Sequence, residues 1–203
     1  MKKFFAVCAV FVVLIASACS SAPKVQRVNA NTQTDLSGFW NDSDVRIVSQ
    51  SLINDAVNSP RVDQAIKSLG KTPVVIVGRF KNDSSEHIDT SIITSIMEQE
   101  IFNSGKMDFV AGGSTRDDLR SERLDQTFSG FVNDGTAASL GNETGADFML
   151  TGSVKTIIDK AGNQTVRTYF VSAELTSIET NQRLWIGQNS EIKKIVVQPR
   201  NKL

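Results

Sequence analysis

Cysteine and histidine are nearly missing from this chain of 203 residues. Its two cysteines, Cys8 and Cys19, lie close to the start, and His87 is the single histidine. Because no cysteine follows residue 19, the rest of the chain can form neither a disulfide nor a thiolate metal site. The sequence therefore predicts a domain that depends on its apolar core for stability.

An excess of charge of either sign is also missing, since 22 lysines and arginines balance 22 aspartates and glutamates. A chain without net charge has no strong field to concentrate nucleic acid or an anionic surface around it. We therefore predict no nucleic-acid partner. Long apolar runs are absent as well. The run over residues 4–15 is shorter than the roughly 20 residues that a membrane-spanning helix needs.

The first nineteen residues have the features of an export signal. Two lysines form a positive start, the apolar run follows, and small residues lead to Cys19. This order predicts a lipoprotein signal peptide over residues 1–18 and a lipid anchor on Cys19. Ala16 departs from the usual pattern, because leucine is common three residues before the cysteine. The alternative is a secretory signal cleaved after Ala18, which would leave Cys19 as a free thiol.

A polar stretch, residues 19–35, separates the predicted anchor from the first apolar segment. It has few large apolar side chains and one proline, Pro23, which predicts a flexible tether and not a stiff polyproline spacer. No aspartate follows Cys19 directly, and this favours sorting to the outer membrane. We therefore expect the domain, residues 36–203, to lie in the periplasm on a lipid anchor.

Hydrophobic periodicity predicts both helices and strands in this domain. Helices are expected over 42–58, 61–69, 89–103, 114–127 and 136–143, with Asp42 or Ser43 as the first cap. Strands are expected over 73–80, 107–111, 147–154 and 165–176, with a last strand beginning at Leu184. The order predicts an α/β (α+β) fold: a single mixed sheet with flanking helices and a C-terminal antiparallel meander.

Residue types that could carry catalysis are scarce. A Ser-His-Asp triad would need His87, which lies in a polar loop near Asp89, and such loops are usually solvated surface. Gly112-Gly113-Ser114 could hold an anion at a helix start, but the lysine of a P-loop is missing. We predict no catalytic residue, no metal, no cofactor and no small-molecule substrate.

Several segments, taken together and in this order, carry a resemblance to a known family. They are Leu36-Ser37-Gly38-Phe39-Trp40-Asn41-Asp42, residues 73–78 with Asn82, Ser104-Gly105-Lys106, residues 145–152, and residues 169–175. The chain resembles the penicillin-binding protein activator lipoproteins of the LpoB type over about residues 36–196. The resemblance implies an outer-membrane lipoprotein that binds and stimulates a class A penicillin-binding protein. It also implies a domain similar to the N-terminal domain of TolB, and no catalytic residues.

The loop after the first predicted strand is the candidate contact with a partner. Loops held by a rigid strand often carry binding residues, so we predict a role for Asn82, Asp83, Glu86 and His87 in partner binding. The alternative for this loop is a solvated connection. We expect the domain to be monomeric.

A rival hypothesis is a secretion-channel lipoprotein of the CsgG type, which has a related α/β domain. Such channels assemble as rings and insert long hairpins with alternating apolar and polar faces. No inserted pair of strands is evident in the sequence, so we place this hypothesis second. A periplasmic hydrolase is a third hypothesis, which the single histidine disfavours.

Overall fold

The computed structural model describes residues 25–29 and 32–199 of a chain that divides into two units, Met1–Thr32 and Gln33–Leu203. In the first unit, residues 25–29 and 32 are exposed and form neither helix nor strand. The predicted signal peptide, Cys19 and residues 20–24 of the predicted tether lie outside the described residues. Within the described part of the chain, no helix has the length and apolar character to cross a bilayer.

The described part of the second unit contains four helices and six strands. The helices are α1 (Asp42–Val57), α2 (Pro60–Leu69), α3 (Thr90–Asn103) and α4 (Gly113–Phe128). The strands are β1 (Val74–Asn82), β2 (Asp108–Phe109), β3 (Phe148–Ala161), β4 (Gln164–Ser177), β5 (Arg183–Asn189) and β6 (Lys193–Val197).

All six strands belong to one mixed sheet, in which β2, β1, β3, β4 and β5 are neighbours in that order. β1 runs parallel to β2 and β3, and β3 pairs antiparallel with β4 along the whole length of both strands. β5 pairs with residues 171–176 of β4, and β6 pairs with residues 164–168 of the same strand. The predicted fold class, a single mixed sheet with a C-terminal antiparallel meander, is confirmed.

The core lies between one face of this sheet and helices α1 to α3. Alternate residues of a strand point to the same face, and the buried residues of β4 are Tyr169, Val171, Ala173 and Leu175. They belong to one apolar cluster with residues of α1 and α3, which contact each other. Trp185 is buried and Trp40 is partly buried against this cluster, so both help to close the core.

The opposite face of the sheet is open along β3 to β6. Its exposed apolar side chains include Ile157, Ile186, Ile195 and Val197. Helix α4 buries none of its residues. Helices α1 to α3 therefore cover one face, and the other face carries exposed apolar side chains among polar ones such as Lys155 and Glu174.

The helix ends follow local polar chemistry. Asn41 caps α1, because its side chain accepts from the Asp44 N–H while the Asp44 carboxylate accepts from the Asn41 N–H. The predicted caps, Asp42 and Ser43, were wrong by one or two residues. Gly105 follows α3 in the left-handed conformation, with φ of 68°, as a glycine beyond a helix end often does.

The predicted helix over 136–143 is absent, and residues 129–147 form turns and irregular chain. Gly130 and Gly141 adopt positive φ in this segment, and Leu140 is half exposed. A short helix gains most of its stability from packing an apolar face, and this segment has no such face to bury. The chain is held instead by Glu143, whose carboxylate pairs with Arg120 and Arg123 of α4.

Two strands also differ from the prediction. β2 is two residues long, whereas a strand over 107–111 was expected. The strand that begins near Leu184 ends at Asn189, and β6 follows as a strand that the prediction missed. The Asn189 side chain accepts from the Glu191 N–H at 3.1 Å, and the chain turns there to pair with a different part of β4.

Candidate functional site

The loop between β1 and α3, residues 82–89, is held in one conformation by its own polar groups. The Asn82 side-chain amide donates to the carbonyls of Glu86 (2.8 Å) and Ile88 (3.3 Å). Its oxygen accepts from the N–H and the hydroxyl of Ser84. Ile88 is buried, and Asp89 caps α3 by accepting from the Ser91 N–H. Asn82 therefore shapes the loop from within.

Glu86 points from this loop into the protein, where its side chain is only 7% exposed. The Tyr169 hydroxyl lies 2.8 Å and 2.9 Å from its two carboxylate oxygens and donates to this carboxylate. The backbone N–H of Trp40 donates to Oε2 at 3.1 Å, and the Arg167 Nε lies 3.4 Å from Oε1. One carboxylate thus joins the loop, strand β4 and the segment that precedes α1.

The electrostatics of this cluster keep its tyrosine neutral. Burial, together with the hydrogen bond to the adjacent Glu86 carboxylate, raises the pKa of Tyr169 far above its ordinary value. Tyr169 therefore keeps its proton well into the alkaline range and can donate it to Glu86. The ring of Trp40 packs against it at a centroid distance of 5.1 Å, which closes the cluster on one side.

The segment before α1 is fixed by the same strands. The Gly38 carbonyl accepts from the Arg167 guanidinium at 3.4 Å and lies 3.3 Å from the Tyr169 hydroxyl. The Arg167 guanidinium also stacks over the ring of Phe39, 4.3 Å from its centroid. A side chain at Gly38 would collide with Val196 of β6, so only glycine allows this close approach.

Lys194 of β6 completes the attachment of this segment. Its ammonium group lies 2.6 Å from the Asp44 carboxylate and 2.8 Å from that of Asp35, and it donates to the Phe39 carbonyl. Burial works against the charge of Lys194, but the two carboxylates outweigh it and raise its pKa. The sequence predicted Asp35 as the last residue of the tether. In the structure its carboxylate contacts Lys194 of the domain.

The four predicted contact residues therefore fall into two groups. Asp83 and His87 are exposed at the surface of the loop. Asn82 has an exposed side chain that bonds within the loop, and Glu86 is turned inward. The loop brings all four close together, but only Asp83 and His87 are free to reach a partner.

Sequence reasoning did not find Arg167, Tyr169 and Lys194 as partners of this loop. Alternate residues of a strand point to the same face of the sheet, and these three polar residues occupy positions of β4 and β6 on the helix-covered face. This position in the alternation was the one signal that could have identified them. Nothing in the sequence indicated that Glu86 and the segment before α1 would meet there. Among the described residues, no group of three or more histidine, cysteine, aspartate or glutamate side chains could hold a metal ion.

The fold and this loop define a class: a mixed-sheet α/β domain in which a buried polar cluster fixes the loop after the first strand. The family described as "Peptidoglycan-synthase activator LpoB" matches residues 44–191. The match covers most of the chain, including the loop and strand β4, and the chain belongs to this family.

Solved structures of this family are among those similar to this chain. The LpoB C-terminal domain from Escherichia coli has 15% identity and a TM-score of 0.43, over 76% of this chain and 99% of that one. The LpoB C-terminal domain from Salmonella enterica has 17% identity and a TM-score of 0.39, with the same coverage. The NMR structure of E. coli LpoB has 14% identity and a TM-score of 0.40, over 90% and 85%. A search of curated proteins found no match.

Proposed function

We propose that this protein is an outer-membrane lipoprotein whose periplasmic domain binds a class A penicillin-binding protein and activates it. The family match over residues 44–191 is the observation that carries this proposal. Residues 1–18 serve as the signal peptide, residues 19–35 as the lipidated start and tether, and residues 36–203 as the domain. The protein acts by binding and contributes no catalytic group.

The loop after β1 is the proposed contact with the synthase. Asp83 and His87 are exposed and present a carboxylate and an imidazole, while Asn82 and Glu86 fix the backbone between them. A loop already held in its bound conformation loses little conformational entropy on binding. This rigidity supports a role in recognition.

Activation requires only that the domain bind two states of the synthase with different affinity. If the domain binds the active conformation more tightly than the resting one, the synthase population shifts by that difference. A coupling free energy of about 1–3 kcal/mol is typical and would raise the active fraction about 5- to 150-fold at most.

The test adds the purified protein to each class A synthase of its own organism and follows glycan polymerisation and peptide cross-linking. We expect a saturable increase in the rate of one synthase. If saturating protein leaves every class A synthase unchanged, the proposed function is wrong.

Two double variants locate the contact. Asp83→Ala with His87→Ala removes the exposed groups of the loop, and we expect the concentration for half-maximal activation to rise at least about tenfold, a loss of about 1.4 kcal/mol of binding. Asp118→Ala with Lys67→Ala removes one exposed acid and one exposed base elsewhere and serves as the matched control. If the two variants behave alike, the synthase binds another surface.

The rival hypothesis predicts a different particle. A secretion channel of the CsgG type would assemble as a ring, so its mass in detergent would be many times that of one chain. Light scattering in detergent therefore separates the two hypotheses, and the activator hypothesis predicts the mass of a single chain.

A further inference from the structure

The outer edge of β6 has backbone groups without partners. The Tyr169 N–H donates to the Ile192 carbonyl, and the Gln198 N–H donates to the Asn163 carbonyl. In an antiparallel pair of strands, the backbone N–H and C=O of successive residues point alternately toward the partner strand and away from it. The backbone groups of residues 194 and 196 therefore point toward β4, and those of Lys193, Ile195 and Val197 point away from it. Those three N–H and three C=O groups make no hydrogen bond with any described residue.

The side chains of the same three residues lie on the open face of the sheet. Ile195 is 62% exposed and Val197 is 57% exposed, and Lys193 is exposed as well. Ile195 stands beside Val166 of β4, so the apolar strip continues onto the neighbouring strand. Both the backbone and the side chains of this edge are therefore available to a further strand.

The charge of this edge selects the kind of strand that fits. Lys194 points to the helix-covered face and is neutralised by Asp35 and Asp44. Its neighbour Lys193 makes no ion pair with a described residue. Cross-strand neighbours of opposite charge stabilise a sheet, so the residue beside Lys193 should be acidic.

A second copy of this chain fits the edge poorly in the register that pairs all three outward residues. Antiparallel pairing of two β6 strands about Ile195 would place Lys193 beside Val197 of the other copy, and no acid would face the ammonium group. Exposed edge lysines are a common device against such self-pairing. The edge thus discriminates between its own copy and a strand that carries a carboxylate.

We propose that the outer edge of β6 accepts an extended strand from a partner protein, in which an acidic residue faces Lys193 and apolar residues face Ile195 and Val197. The strand adds to the sheet next to β6 by main-chain hydrogen bonds, and the three side chains determine its sequence. This proposal is separate from the proposed function, because it holds whether or not the synthase supplies the strand.

The test uses a synthetic peptide in which threonine alternates with valine, valine and glutamate, in that order from the N-terminus, so that antiparallel pairing places the glutamate beside Lys193. Amide hydrogen exchange of the full protein is measured by NMR. Without peptide, the amides of residues 193, 195 and 197 should exchange rapidly, while those of 194 and 196 are protected by β4. With millimolar peptide, we expect protection of the three outward amides to rise at least about fivefold and that of 194 and 196 to stay unchanged.

Three variants distinguish the addition of a strand to β6 from peptide binding that forms no main-chain hydrogen bonds with β6. Ile195→Pro removes an outward N–H and leaves the bonds to β4 in place, since proline is tolerated at such edge positions. It should abolish the protection, whereas Ile195→Thr, which keeps the N–H, should retain part of it. Lys193→Glu should lose the acidic peptide and bind a peptide with lysine in place of glutamate.

The outcomes are distinct. Protection of the three outward amides, with reversal of charge preference in Lys193→Glu, supports the proposal. Absence of protection overturns it, and so does peptide binding that leaves these amides unchanged. Protection that appears without peptide and rises with protein concentration would show self-pairing and would also overturn it. None of these results depends on synthase activation, so the two proposals can fail separately.

Discussion

At the scale of single residues, Glu86 shows how a polar group becomes structural by being buried. Its carboxylate accepts from the Tyr169 hydroxyl and the backbone N–H of Trp40 and lies beside Arg167. A buried charge is tolerated only with partners of this kind, because removal from water is costly. The same residue, considered in the sequence, was one of four polar positions in an ordinary loop.

Removing Glu86 should therefore destabilise the protein far more than a loop residue usually does. Glu86→Ala takes away the carboxylate that faces the buried Tyr169 hydroxyl and the Arg167 guanidinium, and we expect a loss of about 3–5 kcal/mol in the free energy of unfolding. Tyr169→Phe removes one hydrogen bond to a charged group and should cost about 1.5–3 kcal/mol. Urea denaturation measures both.

The exposed neighbour Ser85 provides the control for this loop. Ser85→Ala should change the free energy of unfolding by no more than about 0.5 kcal/mol, as for most surface positions. A Glu86→Ala variant as stable as Ser85→Ala would show that the buried cluster contributes little.

At the scale of elements, α4 differs from the other helices because polar contacts hold it. None of its residues is buried, and the Glu143 carboxylate is its main link to the following irregular segment, beside a hydrogen bond from the Ala138 N–H to Gln126. Arg120 donates to both oxygens of Glu143 at 2.9 Å, and Arg123 donates at 2.6 Å. Two guanidinium groups on one carboxylate give this segment a defined position without a core of its own.

This arrangement predicts a pH dependence confined to acid. Arg120 and then Arg123 lower the pKa of Glu143 from 4.5 to about 2. A carboxylate whose pKa falls on folding stabilises the folded state above its unfolded pKa and loses that effect as the pH falls through the folded value. The link between α4 and residue 143 should therefore weaken between pH 4.5 and about 2.

NMR titration of the Glu143 carboxyl group checks this prediction directly. Its midpoint should lie near 2 in the protein and return toward 4.5 in a variant with Arg120→Ala and Arg123→Ala. A midpoint near 4.5 in the unmodified protein would show that the two arginines do not hold Glu143 in solution.

At the scale of the whole molecule, one apolar cluster joins helices and sheet. Trp40 packs on Tyr169 near the loop, and Trp185 donates to Asp55 of α1 at 2.8 Å at another point of the same core. Because both side chains pack in one cluster, both should become exposed to solvent in a single unfolding transition.

Two single-tryptophan variants test this cooperativity. In Trp40→Phe and in Trp185→Phe, the fluorescence of the remaining tryptophan and the far-ultraviolet circular dichroism should give the same urea midpoint. The two variants need not have equal stability. Separate midpoints for the two signals within one variant would show that part of the domain unfolds independently.

The sequence predictions were accurate for features that depend on neighbouring residues and inaccurate for features that depend on contacts with distant parts of the chain. The long helices and the strands over 73–80 and 165–176 were predicted because their apolar residues recur at regular intervals. The helix over 136–143 was wrong because its stability would have required a surface to pack on. β6 was missed because its pairing with β4 depends on a turn near Asn189. The loop after β1 was predicted from its run of polar residues, but the inward direction of Glu86 was not visible in the sequence, and partner binding by this loop stays a prediction.

The sequence by itself determined the class of fold, the order of most elements and the lack of disulfide chemistry beyond residue 19, because these depend on periodicity and composition. The tertiary structure alone decided which polar residues are buried and which remain free. Glu86 meets Tyr169, 83 positions later, and Lys194 meets Asp35 across most of the domain. Such contacts follow from the pairing of distant strands, and no local pattern encodes them. The same pairing left Lys193, Ile195 and Val197 on an open edge.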